Sequence, residues 1–232
     1  MALGADYTMF VEPIIADAIF ALRPDFAALS VSASGLVNRP TAEPVAVPCS
    51  LPWAESHFDA WRHAYRGFGA KPQRTPSSAE ALRNRVERSG SVPAINAIVD
   101  LYNAISLRHA VPVGGEDAAL FKGQPRLIRA LGGEPFDTMA DGKAKMEQVD
   151  QGEVVWRDDL GVTCRRWNWR QGVRTRISEK TTAVWFVLER LEPMPIDALR
   201  AAGQDLIDGL RQLHPGAKIA QGLIDQSGWT AF

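Results

Sequence analysis

The sequence predicts an α+β fold from three observations. Helical periods dominate the first half, strand periods crowd residues 126–190, and one long helical period follows at 195–213. No alternating strand–helix–strand unit interrupts this order. The GxGxxG, GxxxxGKS/T and GxSxG spacings are absent, which argues against the common nucleotide-hydrolysing and serine-esterase frameworks.

Taken in order, residues 10–22 suit a short apolar helix, and Phe26–Leu36 suits a strand ending near Gly35. NRPTAEPVAVPCSLP carries four prolines and reads as a loop. Trp53, His57 and Trp61 recur at every fourth position, one face of a helix, until GFGAKP stops it. Thr75-Pro76-Ser77-Ser78 can cap a second helix, with Glu80 in its first turn, Arg83, Arg85 and Arg88 along its body, and Ser89-Gly90 at its end. Pro93 opens a third, with Ile95, Ile98, Val99, Tyr102 and Ile105 at helical spacing.

Strands are expected at 126–130, 153–158, 162–170, 173–177 and 182–190, with Asp159-Leu160-Gly161 and Gln171-Gly172 as turns. The helix over 195–213 carries Ile196, Leu199, Leu206, Leu210 and Leu213 as its apolar stripe. Residues 214–232 show no strong period. The chain, 1–232, is read as a single domain.

With 232 residues, 46% of them hydrophobic, the chain can bury a core without disulfides. Its net charge of −1 gives no global field toward nucleic acid or anionic lipid, so any phosphate affinity must be local, and no DNA partner is expected. Arginine makes up 20 of the 26 basic residues. Its planar fork suits carboxylate and phosphate, although GC-rich codons produce the same excess. Cys49 and Cys164 match no zinc spacing, and His57, His63, His109 and His214 form no HxxxH pair, so neither metal nor cofactor is expected. The N-terminal twenty residues lack a basic lead-in and are interrupted by Glu12 and Asp17. They read as neither signal peptide nor membrane span, which points to a cytoplasmic protein without a membrane partner.

Three stretches carry candidate chemistry. GVTCRRWNWRQGVRTR, residues 161–176, packs five arginines and two tryptophans into sixteen positions. As a strand, 162–170 would put Cys164, Arg166, Asn168 and Arg170 on one face and Arg165, Trp167 and Trp169 on the other, with Arg174 and Arg176 sharing a face after the turn. Such a hairpin would bind phosphate or carboxylate through Arg165, Arg166, Trp167, Asn168, Arg170, Arg174 and Arg176. The alternative is that the arginines pair with Glu147, Glu153, Asp158, Asp159 and Glu179. In PAINAIVDLYNAISLRHA, Asn96, Asp100 and Asn103 form a polar stripe that would hold an amino group or ribose hydroxyl, or else bond to neighbouring backbone. In VPVGGED, Gly114 and Gly115 would let the backbone approach a ligand, though paired glycines serve ordinary turns more often. His109 just before them would act as a base or as a helix C-terminal partner.

Together, HAYRGFGAKPQRTPSSAEALRNRV, SVPAINAIVDLYNAISLRHAVPVGGED and GEVVWRDDLGVTCRRWNWRQGVRTR resemble the free-standing B3/B4 proteins. These are relatives of the B3/B4 domain of the phenylalanyl-tRNA synthetase beta subunit. The resemblance runs from about residue 60 to 190, with 191–232 as a C-terminal helix and tail. It implies an α+β domain with a mixed, barrel-like sheet core flanked by helices. It further implies a tRNA or aminoacyl-tRNA partner, and hydrolysis in trans of a mischarged aminoacyl-tRNA. INAIVDLYN is similar to the synthetase's IN-VVD-TN segment, putting Asn96, Asp100 and Asn103 on the equivalent helix. Gly114 stands where the synthetase usually has a histidine, and Trp169 where it has a glutamate of its editing site. The implied substrate pocket comprises Asn96, Asp100, Asn103, His109, Gly114, Gly115 and Trp169, with no catalytic residue assigned. The other reading is a non-catalytic pocket for an amino acid or similar small carboxylate, with Arg166 or Arg170 clamping the carboxylate. In the tRNA reading, Trp167 or Trp169 would stack on the terminal adenine.

Overall fold

The computed structural model describes residues 11–47, 50–140 and 142–232. The reading of residues 1–10, and Pro48 and Cys49 of the proline-rich loop, lie outside these. Five helices are described: α1 (Asp17–Leu22), α2 (Ala54–Gly67), α3 (Ser78–Ser89), α4 (Ala97–His109) and α5 (Ile196–Leu213). The strands are β1 (Ile14–Ile15), β2 (Ala27–Ser34), β3 (Val113–Asp117), β4 (Arg126–Arg129), β5 (Pro135–Ala140), β6 (Lys143–Gln148), β7 (Val154–Arg157), β8 (Val162–Arg165), β9 (Arg170–Gln171), β10 (Ala183–Arg190), β11 (Lys218–Asp225) and β12 (Gly228–Ala231).

They form two sheets. One runs β12-β11-β2-β10-β3, antiparallel throughout. The other runs β1-β4-β7-β8-β5-β6, with β9 paired to β8 and parallel contacts at β1–β4 and β5–β8. The α+β class is as expected, but among the described residues the sheets pack face to face without closing into a barrel.

Strand β10 organises both cores. Alternation sends Val184, Phe186 and Leu188 into a core shared with α4 and α5, where Leu199, Leu206 and Leu210 meet them. Trp185 and Val187 point the other way, into an aromatic core shared with Trp61, Trp156 and Trp167. Several ring pairs there sit edge-to-face, including Trp61–Trp167 with centroids 5.2 Å apart and Trp156–Trp185 at the same distance.

Several elements differ from expectation. The expected helix over 10–22 starts late, because pairing with β4 claims Ile14–Ile15, and only Asp17–Leu22 is helical. The expected strand 162–170 breaks after Arg165, because Arg166 (φ 49°) and Trp167 (φ 68°) adopt left-handed backbone, so one strand's alternation does not describe the stretch. Residues 173–177 are not a strand. The Val113–Asp117 segment is an edge strand rather than a turn. The β5–β6 hairpin was not expected, although Asp141-Gly142 is a hairpin dipeptide. The tail supplies β11, which pairs with β2 along most of its length. Its own pattern is weakly alternating, with only Gly222–Ile224 buried, so the backbone ladder with β2 is what makes it a strand.

Among the described residues no helix is long and apolar enough to cross a membrane. His57 of α2 is a structural group. Its Nδ1–H donates to Ala110 O (2.9 Å), and its Nε2 accepts from Trp61 Nε1 (3.1 Å) and Leu191 N (3.3 Å). Burial lowers its pKa from 6.5 to about 4, so the folded state keeps it neutral while the unfolded chain takes up a proton below 6.5. The stability lost through His57 therefore grows as pH falls from 6.5 toward 4, to about 3 kcal/mol. Denaturant titrations should show the wild type's advantage over His57→Asn to be full above pH 6.5 and to shrink across that window.

Candidate functional site

A cavity of about 280 Å³ opens between the two sheets, under α3 and α4. Its walls come from five places. Ser78, Leu82 and Arg85 of α3 form the mouth, and Tyr102 and Asn103 reach in from α4. Val113–Glu116 of β3 forms one edge, Trp156, Cys164, Val187 and Glu189 the floor, and Trp167–Trp169 with Gln171 the far side.

The register of β3 explains why its backbone faces the cavity. Glu189 N donates to Pro112 O (3.0 Å), so Pro112, Gly114 and Glu116 are the residues bonded to β10. The N–H and C=O groups of Val113 and Gly115 then point off the free edge. Gly115 O already accepts from Gln171 Nε2 (2.9 Å), and Asp117 N donates to Thr175 O (2.8 Å). The glycine at 115 serves packing: a Cβ there would lie 2.9 Å from Tyr102 Cε1 and 3.1 Å from both Ile177 and Phe186.

Two carboxyl groups enter the cavity without a direct cation partner. Glu189 accepts from Trp156 Nε1 (2.9 Å) and Asn168 Nδ2 (2.9 Å), while Tyr65 Oη donates to Asn168 Oδ1 (2.8 Å). Burial pushes Glu189 up to about 8, against the pull of those hydrogen bonds. Glu116 accepts from Thr163 Oγ1 (3.1 Å) and Thr175 Oγ1, and burial raises it to about 7. Burial also holds the free thiol of Cys164 well above its ordinary range, so it is not a thiolate nucleophile near neutrality. At neutral pH Glu189 is therefore protonated while Glu116 is partly ionised, and below about pH 6 both are neutral.

Two buried polar atoms on its walls, Ser78 Oγ and Trp167 Nε1, lack hydrogen-bond partners among the described residues; the second lies toward Glu189 without completing a bond. Asn103, 7% exposed, also lines the cavity. Buried donors and acceptors left open this way cost free energy unless a ligand or water meets them.

The cavity thus brings together Asn103, Gly114, Gly115 and Trp169 of the pocket residues read from the sequence, together with Trp167 and Asn168 from the arginine-rich stretch. Asn96, Asp100 and His109 do not line it. Asn96 caps α4, accepting from Val99 N (3.0 Å). Asp100 accepts from Ile95 N (3.0 Å) and Thr41 Oγ1. His109 Nε2 meets Asp205 Oδ2 at 2.8 Å, tying α4 to α5.

The arginines mostly take the internal pairing. Arg165 is buried against Glu153 (2.7 Å) and Glu147 (3.0 Å), and the half-buried Arg174 pairs with the buried Asp158 (2.8 Å). Arg166 lies 3.9 Å from Glu153 and stacks over Trp169, 4.5 Å from the ring centroid. Arg170 bonds Thr138 Oγ1 and Met139 O, and Arg176 is exposed. Trp167 is fully buried and cannot stack on a base, and the Trp169 ring is already covered by Arg166.

Glu116, Glu189, Trp156 and Gln171 were not singled out from the sequence. Alternation in 182–190 was the available signal, because it puts Glu189 on the face of Trp185 and Val187, a carboxyl among apolar neighbours. Among the described residues no group of three His, Cys, Asp or Glu side chains could hold a metal ion. Since Glu189 titrates near 8 folded and 4.5 unfolded, the wild type loses stability as pH rises through that interval. Glu189→Gln lacks that titration. Its stability relative to wild type should rise by roughly 4 kcal/mol between pH 4.5 and 9, read by denaturation at each pH.

Among curated proteins no match is found. Among solved structures, the chain is similar to an N-terminal fragment of the phenylalanyl-tRNA synthetase beta subunit from Pyrococcus horikoshii. The TM-score is 0.53 at 12% identity, over 95% of this chain and 54% of that one. The chain therefore shares that fold and spans about half of the fragment's length. The family model of the B3/4 domain matches residues 60–202, well over half of the sequence. By that match, and with a fold consistent with it, the chain belongs to the B3/4 domain family.

Proposed function

We infer that this B3/4 domain protein acts on tRNA, taking the aminoacyl group of a mischarged aminoacyl-tRNA into the inter-sheet cavity and hydrolysing its ester in trans. The observation that carries this reading is the cavity with its two buried, unpartnered polar atoms, Ser78 Oγ and Trp167 Nε1, and the Asn103 side chain beside them. Small-molecule pockets span roughly 300–1,000 Å³. A cavity of about 280 Å³ suits one amino-acid-sized group, leaving the nucleotide outside. Arg85 stands exposed at the mouth, with no carboxylate partner among the described residues, where RNA phosphate would pass.

The chemistry asks for a base and an oxyanion donor. Glu116, with a pKa of about 7, is partly ionised at neutral pH and can take the proton of an attacking water. The water oxygen bonds to the ester carbon, and the developing oxyanion is met by the Gly115 N–H on the free edge of β3. The intermediate collapses by breaking the bond to the ribose oxygen, which leaves with the proton. Free amino acid and deacylated tRNA are the products.

A second reading is favoured by one observation: Arg165, Arg166 and Arg174 have carboxylates within ion-pair distance inside the chain, which thins the cations available to a long RNA. In that reading the cavity binds a free amino acid or related small carboxylate without turnover.

The test is a panel of correctly and incorrectly charged tRNAs at low salt. Expected is amino-acid release from at least one mischarged pair, with a rate that rises with pH through about 7. Glu116→Gln should lower that rate by at least about 100-fold. If no pair is hydrolysed while a free amino acid at about 100 times its Kd adds about 2.7 kcal/mol of stability, the second reading replaces the first.

A further inference from the structure

Beside the inter-sheet cavity lies a separate cleft of about 430 Å³, lined by the α2–α3 connection, the β6–β7 turn and Arg166. We propose that Lys71, Arg74 and Arg166 make this cleft an RNA phosphate subsite, which holds the 3′-terminal phosphodiester of the tRNA whose aminoacyl group enters the cavity. The identity of the ligand rests on the function inferred above; the subsite itself rests on separate geometry.

Two segments of chain each span both sites. In the first, Lys71 and Arg74 line the cleft, and Ser78, four residues further on, lines the cavity. In the second, Arg166 lines the cleft while Trp167, Asn168 and Trp169 line the cavity. The two sites meet through a contact: the Arg166 guanidinium, which lines the cleft, lies 4.5 Å from the ring centroid of Trp169, which lines the cavity. A molecule with a phosphate a few bonds from an amino-acid ester would fill both.

The second segment is strained. Arg166 and Trp167 are consecutive non-glycine residues in left-handed backbone, at φ 49° and 68°. Such conformations persist only where the surroundings over-determine them, and they concentrate at functional sites. Here Arg166 N donates to Glu153 Oε1 (3.0 Å) and Trp167 N to Val154 O (2.6 Å). This clamped turn sends one side chain outward to the cleft and the next inward to the cavity.

The charge balance favours an anion. Lys71 and Arg74 are exposed, with no carboxylate partner among the described residues. Two carboxylates also border the cleft. Glu153 is gripped by Arg165 at 2.9 and 2.7 Å, so its charge is answered from behind. Asp150 is 84% exposed and sits 3.8 Å from the same guanidinium. Counted together with Glu147, which also pairs with Arg165, three carboxylates, Glu147, Asp150 and Glu153, face four cations, Lys71, Arg74, Arg165 and Arg166, and the surplus lies on the exposed Lys71 and Arg74.

Binding of uncharged tRNA and of aminoacyl-tRNA, measured from low to moderate KCl, tests this with wild type and the Lys71→Ala/Arg74→Ala double variant. The double variant should bind both RNAs at least tenfold more weakly at low salt. Its slope of log affinity against log salt should be shallower by about 1–2, while its thermal stability and its affinity for free amino acid stay at wild-type values. A folded double variant with unchanged RNA affinity and slope overturns the subsite, as does a wild type that binds no tRNA at low salt. A wild type that binds uncharged tRNA with a slope dependent on Lys71 and Arg74, yet releases no amino acid, keeps the subsite and removes the hydrolase.

Discussion

The constraint on which this molecule depends is that one strand, β10, must satisfy two cores at once. Its even-numbered apolar residues, Val184, Phe186 and Leu188, close the helix-covered core. Its odd-numbered ones, Trp185 and Val187, close the aromatic core between the sheets. Glu189 continues the second set, so the alternation that builds the core delivers a carboxyl to the cavity floor. Moving the register by one residue would exchange the two faces and bury the carboxyl among the leucines of α5.

That carboxyl is tolerated because its neighbours are donors. Trp156 Nε1 and Asn168 Nδ2 supply hydrogen bonds, and Tyr65 in turn fixes the Asn168 amide. With no direct cation partner, burial outweighs these bonds and keeps the group protonated near neutrality. Glu116 follows the same logic with two threonine hydroxyls. The result is an interior of amino-acid size in which Glu189 offers hydrogen bonds without charge while Glu116 is poised to ionise at neutrality.

The arginine-rich stretch resolves into three uses of one residue type. Arg165 and Arg174 hold loops to buried carboxylates. Arg170 ties β9 to the β5 strand through Thr138. Arg166 is turned outward by strained backbone and lies against Trp169. Trp167 belongs to the core, packed edge-to-face on Trp61 and Phe26. Arginine and tryptophan are interleaved in this stretch mainly because both are drawn into the interior, with Arg166 left at the boundary of the two cavities.

Local patterns carried much of this. The cap at Ser77, the stop at Gly90, the apolar stripes of α4 and α5, and the strands β2, β4, β7, β10 and the start of β8 follow from short-range periodicity and backbone preference, which any window of chain displays. The polar stripe Asn96–Asp100–Asn103 was legible as a stripe, but its division was not. A helix N-terminus and the Thr41 loop claim the first two, and only Asn103 meets the cavity. Likewise β11 owes its strand state to its partner β2, and the break after Arg165 owes its shape to Glu153 and Val154 across the turn. The sequence by itself determined the four longer helices, the strands β2, β4, β7 and β10, their apolar faces, and that the chain resembles the B3/B4 proteins. Tertiary structure alone decided which polar groups converge on one cavity. Burial, charge pairing and open hydrogen-bond valence depend on neighbours that lie tens of residues away in the chain.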